Sequence, residues 1–108
     1  MANTFKSAVA SLSNDTLTNI YTASSTSGTQ TVIHALYISN THGAAVNVDV
    51  LVRKSSTDYY VTKSAPIPAG STLTLDKPIN LENSNILKAK SSNSSGYLDM
   101  FVSVLEIT

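Results

Sequence analysis

Two histidines and seven carboxylates are the side chains of this 108-residue sequence that could carry chemistry. His34 lies inside an apolar segment, and His42 lies in the turn at residues 40–43. A nucleophilic hydrolase needs a base beside its nucleophile, and a zinc site needs several ligands at short spacings. The two histidines have no adjacent carboxylate and match neither pattern. We interpret His34 as a partly buried or interface residue and His42 as a solvated loop residue.

The carboxylates are spread along the chain: Asp15, Asp49, Asp58, Asp76, Glu82, Asp99 and Glu106. None of their spacings is typical of a general acid–base pair. The sequence has no cysteine, which excludes disulfides and thiolate metal sites, and its four glycines form no phosphate-binding loop. We therefore predict no enzymatic activity, no catalytic residue, no cofactor and no metal site.

The elements that would position these side chains are strands, because the hydrophobic pattern has a period of two. Val46, Val48 and Val50 alternate with Asn47 and Asp49, as in a half-buried strand. Two further segments are apolar on both faces, which predicts central strands or strands that a partner covers. They are residues 31–39 and 98–107.

Weaker strand patterns occur at residues 17–23, 58–63, 71–75 and 86–91, with turn residues between them. This spacing predicts an all-β fold, a single-domain antiparallel β-sandwich of seven to eight strands over residues 1–108. An Ig-like and a jelly-roll-like topology both fit. Residues 4–12 are the one segment whose apolar side chains have helical spacing, so a short helix is an alternative to a strand there.

One aromatic pair and one proline-containing segment are interpreted as structural features rather than as functional sites. Tyr59 and Tyr60 are adjacent on a predicted strand, so we expect at least one of them in the core. In residues 65–71, two prolines fix φ and Gly70 permits a positive φ. This segment is predicted to be a rigid corner between sheets.

The charge content restricts the kinds of partner. Charged residues make up 13% of the chain, about half the usual share, and seven basic residues balance seven acidic ones. The basic residues are scattered, so no footprint for nucleic acid is present. The sequence has no signal-peptide pattern and no apolar run of membrane-spanning length. We expect synthesis in a cytoplasm and close packing against protein neighbours, without nucleic acid or membrane.

The order of several short motifs resembles a family of small virion structural proteins of tailed bacteriophages, especially phages of aquatic bacteria and cyanobacteria. These motifs are residues 1–6, 20–22, 32–40, 46–50, 58–60, 65–73 and 102–107. Members of that family often have Gly-Asp where this chain has Ser84 and Asn85. The resemblance implies a virion component made in the cytoplasm of a host bacterium.

Together these features predict a non-catalytic capsid decoration (cement) protein that stabilises the shell by protein–protein contacts. A tail, neck, baseplate or fibre-adaptor component is the nearest alternative, and a receptor- or glycan-binding tip module is another. The expected partners are the major capsid protein or tail proteins, and a homo-oligomer such as a trimer. Residues 1–12 form a candidate contact arm, and removal of residues 2–10 should leave a folded domain that incorporates poorly into particles. The candidate interface residues are Phe5, Val9, Leu12, Pro66, Ile67 and Pro68.

Overall fold

The computed structural model describes residues 3–108, and the regular structure in this range consists of strands. In chain order the strands are β1 (Asn3–Leu12), β2 (Thr18–Thr22), β3 (Gln30–Asn40), β4 (Val46–Lys54), β5 (Thr57–Ile67), β6 (Thr72–Leu75), β7 (Ile79–Leu81), β8 (Ile86–Ser91) and β9 (Leu98–Ile107). Over residues 3–108 no helix is long and apolar enough to cross a membrane.

The strands form two antiparallel sheets that pack face to face. Sheet A has the order β1-β9-β3-β6, and β7 also pairs with β3. Sheet B has the order β2-β8-β4-β5. With the three-residue β7 set aside, this is the strand order of an eight-stranded jelly roll. The Ig-like alternative has a different arrangement, with sheets of the ABED and CFG type, and does not match.

One core lies between the two sheets. The residues that alternate inward from both sheets are almost fully buried, which accounts for the period of two in the sequence. Sheet A contributes Leu36, Ile38, Leu98, Met100, Val102 and Val104, and sheet B contributes Val46, Val48, Val50, Leu87 and Ala89. This packing confirms the predicted β-sandwich.

The predicted central strands are central. β9 lies between β1 and β3, and β3 lies between β9 and the short strands β6 and β7. A central strand has neighbours on both sides, and its inner face packs on the other sheet. Its outer face would ordinarily be solvated and polar. The apolar outer faces of β3 and β9 therefore need a separate explanation.

The helix considered for residues 4–12 is wrong, because this segment is the edge strand β1. It pairs with β9 without interruption, from Asn3 opposite Ile107 to Leu12 opposite Leu98. A spacing of four residues keeps side chains on one face of a helix, but an even spacing does the same on a strand. The sequence pattern was therefore ambiguous. Residues 3–12 of the expected contact arm are likewise a strand of sheet A, while residues 1 and 2 lie outside the described range. The contact role of the arm stays a prediction.

The remaining differences concern short or edge strands. β7 was not predicted because three residues are too few to display an alternation, and it raises the strand count to nine. β5 extends through Pro66 to Ile67, which an edge strand tolerates. The following turn crosses from sheet B to sheet A, and Gly70 has a φ of 68° there. The predicted corner between sheets is confirmed.

Candidate functional site

The outer face of sheet A carries two apolar rows that run across its strands. In the first, which we call the Phe5 row, Leu105 of β9 lies between Phe5 of β1 and Val32 of β3. In the second, the Val9 row, Phe101 lies between Val9 and Tyr37. Cross-strand neighbours on one face of a sheet are in side-chain contact, so each row is a continuous apolar stripe.

Four of the six side chains in these rows are exposed to an unusual degree for apolar residues, while Val32 and Leu105 are half-buried. Phe5 is 78% exposed and Val9 71%, while Phe101 and Tyr37 are 46% and 40% exposed. The outer face of an antiparallel sheet is ordinarily polar, and clustered apolar exposure marks interaction surfaces. The outer face of sheet A therefore has the composition of a contact surface.

Small side chains separate the two rows. Ser103 lies between Ser7 of β1 and Ala35 of β3, and we call this set the Ser7 row. Beside the Val9 row, a shallow depression of about 390 Å³ is lined in part by Val9, Phe101 and Asp99. The face is thus ridged, and a flat, featureless partner would not fill it.

Charge differs sharply between the two outer faces. Among the described strand residues, Asp99 is the one Asp, Glu, Lys or Arg on the outer face of sheet A, where its carboxylate accepts a hydrogen bond from the Ser11 hydroxyl at 2.8 Å. The outer face of sheet B carries several charged side chains, which include Asp49, Arg53, Asp58 and Lys90. The molecule therefore presents one nearly neutral apolar face and one charged face.

An ionic network closes one end of the sandwich. The Glu106 carboxylate of β9 accepts a hydrogen bond from the Tyr21 hydroxyl of β2 at 2.6 Å and pairs with the Lys6 ammonium of β1 at 2.9 Å. The hydrogen bond from Tyr21, followed by Lys6, holds the pKa of Glu106 below its ordinary value. Burial raises the pKa of Tyr21 to about 12, and the bond to Glu106 acts in the same direction. This network joins sheet A to sheet B.

At the other end, Asn40 holds the loops together. Its buried side-chain amide donates to the carbonyls of Ala44 and Ile67 at 2.9 Å, and its Oδ1 accepts from the His42 amide. The ring of His42 stacks on Tyr97, with centroids 4.1 Å apart. His42 is therefore a half-buried loop residue with a ring partner, not the fully solvated residue expected.

The predicted interface residues divide into exposed and buried ones. Phe5, Val9, Pro66 and Pro68 are exposed. Leu12 is 3% exposed and Ile67 is 1% exposed, because both alternate inward into the core. Those two side chains are core residues and are not available for contacts.

Two other interpretations need correction. Tyr59 and Tyr60 are both exposed, at 58% and 50%, because β5 is an edge strand whose register with β4 shifts near them. His34 is exposed, at the register shift between Ile33 and Ala35 in the pairing of β3 with β9, so the partly buried alternative is wrong. The alternative that His34 is an interface residue stays a prediction. In the described part of the chain, no three His, Asp or Glu side chains come together as metal ligands.

Tyr37 and Phe101 were not predicted to be surface residues. The signal was present, since both lie in segments that are apolar on both faces. A strand with two apolar faces in a two-layer fold has one face left for a partner. Alternation within β3 and β9 assigns Tyr37 and Phe101 to that face.

Comparison with known proteins gives a match at the level of fold. No protein-family model matches the chain, and no curated protein matches it. A chain from the acid-stable capsid structure of Helicobacter pylori bacteriophage KHP30 superimposes with a TM-score of 0.62 at 12% identity. The match covers 100% of this chain and 89% of that one. The fold is therefore shared with a chain of a phage capsid structure, while the resemblance to phages of aquatic bacteria stays a prediction.

Proposed function

We propose that this protein is a non-catalytic structural component of a bacteriophage virion, and that it decorates the capsid shell as a cement protein. The observation that carries the proposal is the apolar, nearly uncharged outer face of sheet A. The jelly-roll order adds support, since this architecture recurs in viral capsid proteins. The match to a chain of similar length from a phage capsid structure points the same way.

The proposed mechanism is adhesion. Each 100 Å² of apolar surface removed from water contributes about 2–3 kcal/mol before the cost of association. The outer face of sheet A would supply such a contact without desolvating many charges. Repeated over many copies, modest contacts would resist the separation of shell subunits.

A tail, neck, baseplate or fibre-adaptor role would use the same adhesive face, and copy number separates it from decoration. Quantitative mass spectrometry of the particle, with a reconstruction that assigns density to this chain, provides the measurement. Hundreds of copies over the shell are the expected result. A dozen or fewer at one vertex would instead assign the chain to the tail.

A glycan-binding tip module has one observation in its favour. Tyr97 is 37% exposed and, together with His42, presents a stacked ring pair at the loop end of the sandwich. Aromatic faces of this kind can stack against sugar rings. Binding of the purified protein to a glycan array, lost in Tyr97→Ala, would favour this function over decoration.

The contact face can be tested with paired substitutions. Tyr37→Glu combined with Phe101→Glu puts two charges on the outer face of sheet A without touching the core. Tyr59→Glu combined with Tyr60→Glu makes the same charge change on β5 and serves as the control. Shells that lack the chain should bind the control protein but not the sheet A variant. Equal binding of both would contradict the proposed face.

A further inference from the structure

One edge of sheet A is formed by β1, which has few of the features that usually protect an edge strand. β1 is ten residues long and pairs with β9 on one side, while no strand of residues 3–108 pairs with its other side. Proteins commonly protect such edges with short strands, bulges, prolines or charged side chains. β1 has an unbroken register and no proline. Its single charged residue, Lys6, is paired with Glu106.

The other edges of the two sheets are protected. β2 has five residues and a register shift, and β6 and β7 have four and three residues. β5 is long, but it contains Pro66, Lys63, two register shifts and a positive φ at Ser64. Every described edge strand except β1 is protected in this way. This difference indicates that β1 is available to pair with another strand.

The geometry points to a second copy of this chain as the occupant, with β1 pairing antiparallel to β1 of the second copy across a two-fold axis at Ser7. In such a pairing, residues whose numbers sum to 14 lie opposite each other. Lys6 then faces Ala8 of the second copy, so the two ammonium groups are not opposed. Phe5 faces Val9 of the second copy, which brings the two most exposed apolar side chains together.

This register also continues the surface pattern of sheet A. The Phe5 row of one copy meets the Val9 row of the other, which makes two continuous stripes of six apolar side chains each. The Ser7 row meets its own counterpart and gives one continuous stripe of small residues. A two-fold axis at Lys6 would oppose the two lysines, and an axis at Ala8 would place Phe5 against Ser11.

A register in which the numbers of opposed residues sum to an odd value is excluded, because side chains alternate between the two faces of a strand. It would place outward residues such as Phe5 opposite inward residues such as Ala10, so the two apolar outer faces would not be continuous. The Ser7 register keeps both outer faces on one side of an extended sheet. The proposed contact surface for the shell would thereby double in width, and in this respect the inference extends the proposed function.

The register can be tested by cross-linking, since the chain has no cysteine of its own. Under mild oxidation, Ser7→Cys should form a covalent dimer on non-reducing electrophoresis, because directly opposed residues lie within disulfide reach. Phe5→Cys is the control, since the two copies of this residue would be offset by four positions, about 13 Å. Cross-linking of Phe5→Cys without Ser7→Cys would overturn the register.

The association itself is tested by analytical ultracentrifugation of the purified protein. The natural chain should sediment with twice the monomer mass. Phe5→Lys combined with Val9→Lys should halve that mass, because each lysine would face another lysine. Tyr59→Lys combined with Val61→Lys, on exposed residues of β5, should remain dimeric. A monomeric natural chain, a trimer, or a dimeric Phe5/Val9 variant would each refute the inference. Failure to bind shells by an intact dimer would contradict only the proposed function.

Discussion

Gly96 shows how a single residue fixes the loop end of the sandwich. It has a φ of 77°, and a Cβ atom placed on it would lie 1.8 Å from the carbonyl oxygen of Leu12 at the end of β1. The next residue, Tyr97, also has a positive φ, 61°, and its carbonyl accepts a hydrogen bond from the Thr41 amide. The close approach of backbone to backbone therefore requires glycine at position 96.

We expect Gly96→Ala to destabilise the protein by about 2–3 kcal/mol, because the backbone of β1 or of the loop must move. Gly43→Ala is the matched control, since a Cβ atom there would meet nothing within 4 Å and its φ is not positive. Urea denaturation of the two variants measures the difference. Similar unfolding midpoints would show that the loop adjusts freely.

For single residues, the sequence shows which residue types suit a contact surface better than it shows which of them are exposed. Phe5 and Val9 were predicted to be interface residues and are exposed, but Leu12 was placed in the same set although it alternates inward. Positive φ angles at non-glycine residues could also not be predicted from the sequence. Ser84 has a φ of 66°, at the position where the resembling family often has glycine. Only the folded backbone shows that this serine adopts the left-handed conformation.

At the scale of the strand, β9 combines a buried face and an exposed apolar face in alternate residues. Val102 is fully buried in the core, and its neighbour Phe101 lies on the outer face. Val102→Asp should prevent folding, because it buries a carboxylate without a partner. Phe101→Asp should leave the far-ultraviolet circular dichroism spectrum and the thermal midpoint near those of the natural chain. Loss of folding in both variants would mean that the outer face is also structural.

Glu106 gives the junction of β1, β2 and β9 a pH dependence. Its pKa is lowered in the folded state from an ordinary value of 4.5, so its stabilising effect is present above that pH. The effect is lost as the pH falls through the lowered pKa. Glu106→Gln should cost about 1 kcal/mol at neutral pH, because the charge-assisted bond from Tyr21 is weakened.

The difference in unfolding free energy between the natural chain and Glu106→Gln should shrink toward zero in acid. Asp58, whose pKa Arg53 lowers, titrates in both proteins and cancels in the comparison. Denaturation at a series of pH values checks this. A difference that stays constant with pH would show that Glu106 contributes by packing instead.

Strands were predictable where the alternation was long. The bounds of β8 and β9 match the predicted segments. Those of β3 and of β4, whose alternation extends over residues 46–53, agree within one residue at either end. β1 was ambiguous because Phe5, Ala8, Val9 and Leu12 fit both periods. Pairing with β9, a contact between the two ends of the chain, decides in favour of the strand, and local sequence carries no signal of that contact.

For the whole molecule, the choice between Ig-like and jelly-roll topologies depends on which distant strands pair. Both topologies bury the same alternating valines and leucines, so the hydrophobic pattern does not separate them. The observed order places β1 beside β9 and β2 beside β8, so that strands from opposite ends of the chain are neighbours in both sheets. This order also leaves β1 at an edge, where its outward side chains extend the apolar face.

Binding through the two outer faces is expected to depend differently on salt concentration. Sheet A presents mainly apolar groups outward, while the outer face of sheet B carries charges that include Asp49 and Lys90. Contacts between exposed charges weaken as the Debye length falls to about 3 Å at 1 M salt, whereas apolar contacts do not. Binding to shells that lack the chain should therefore change by less than about threefold between low and high salt.

Surface plasmon resonance with immobilised shells would measure this dependence. Lys90→Glu, on the charged face, is the control and should bind as the natural chain does. A steep loss of affinity with salt, together with weaker binding of Lys90→Glu, would show that sheet B faces the shell. The apolar rows of sheet A would then be assigned to contacts between neighbouring copies, because clustered exposed apolar side chains still indicate an interaction surface.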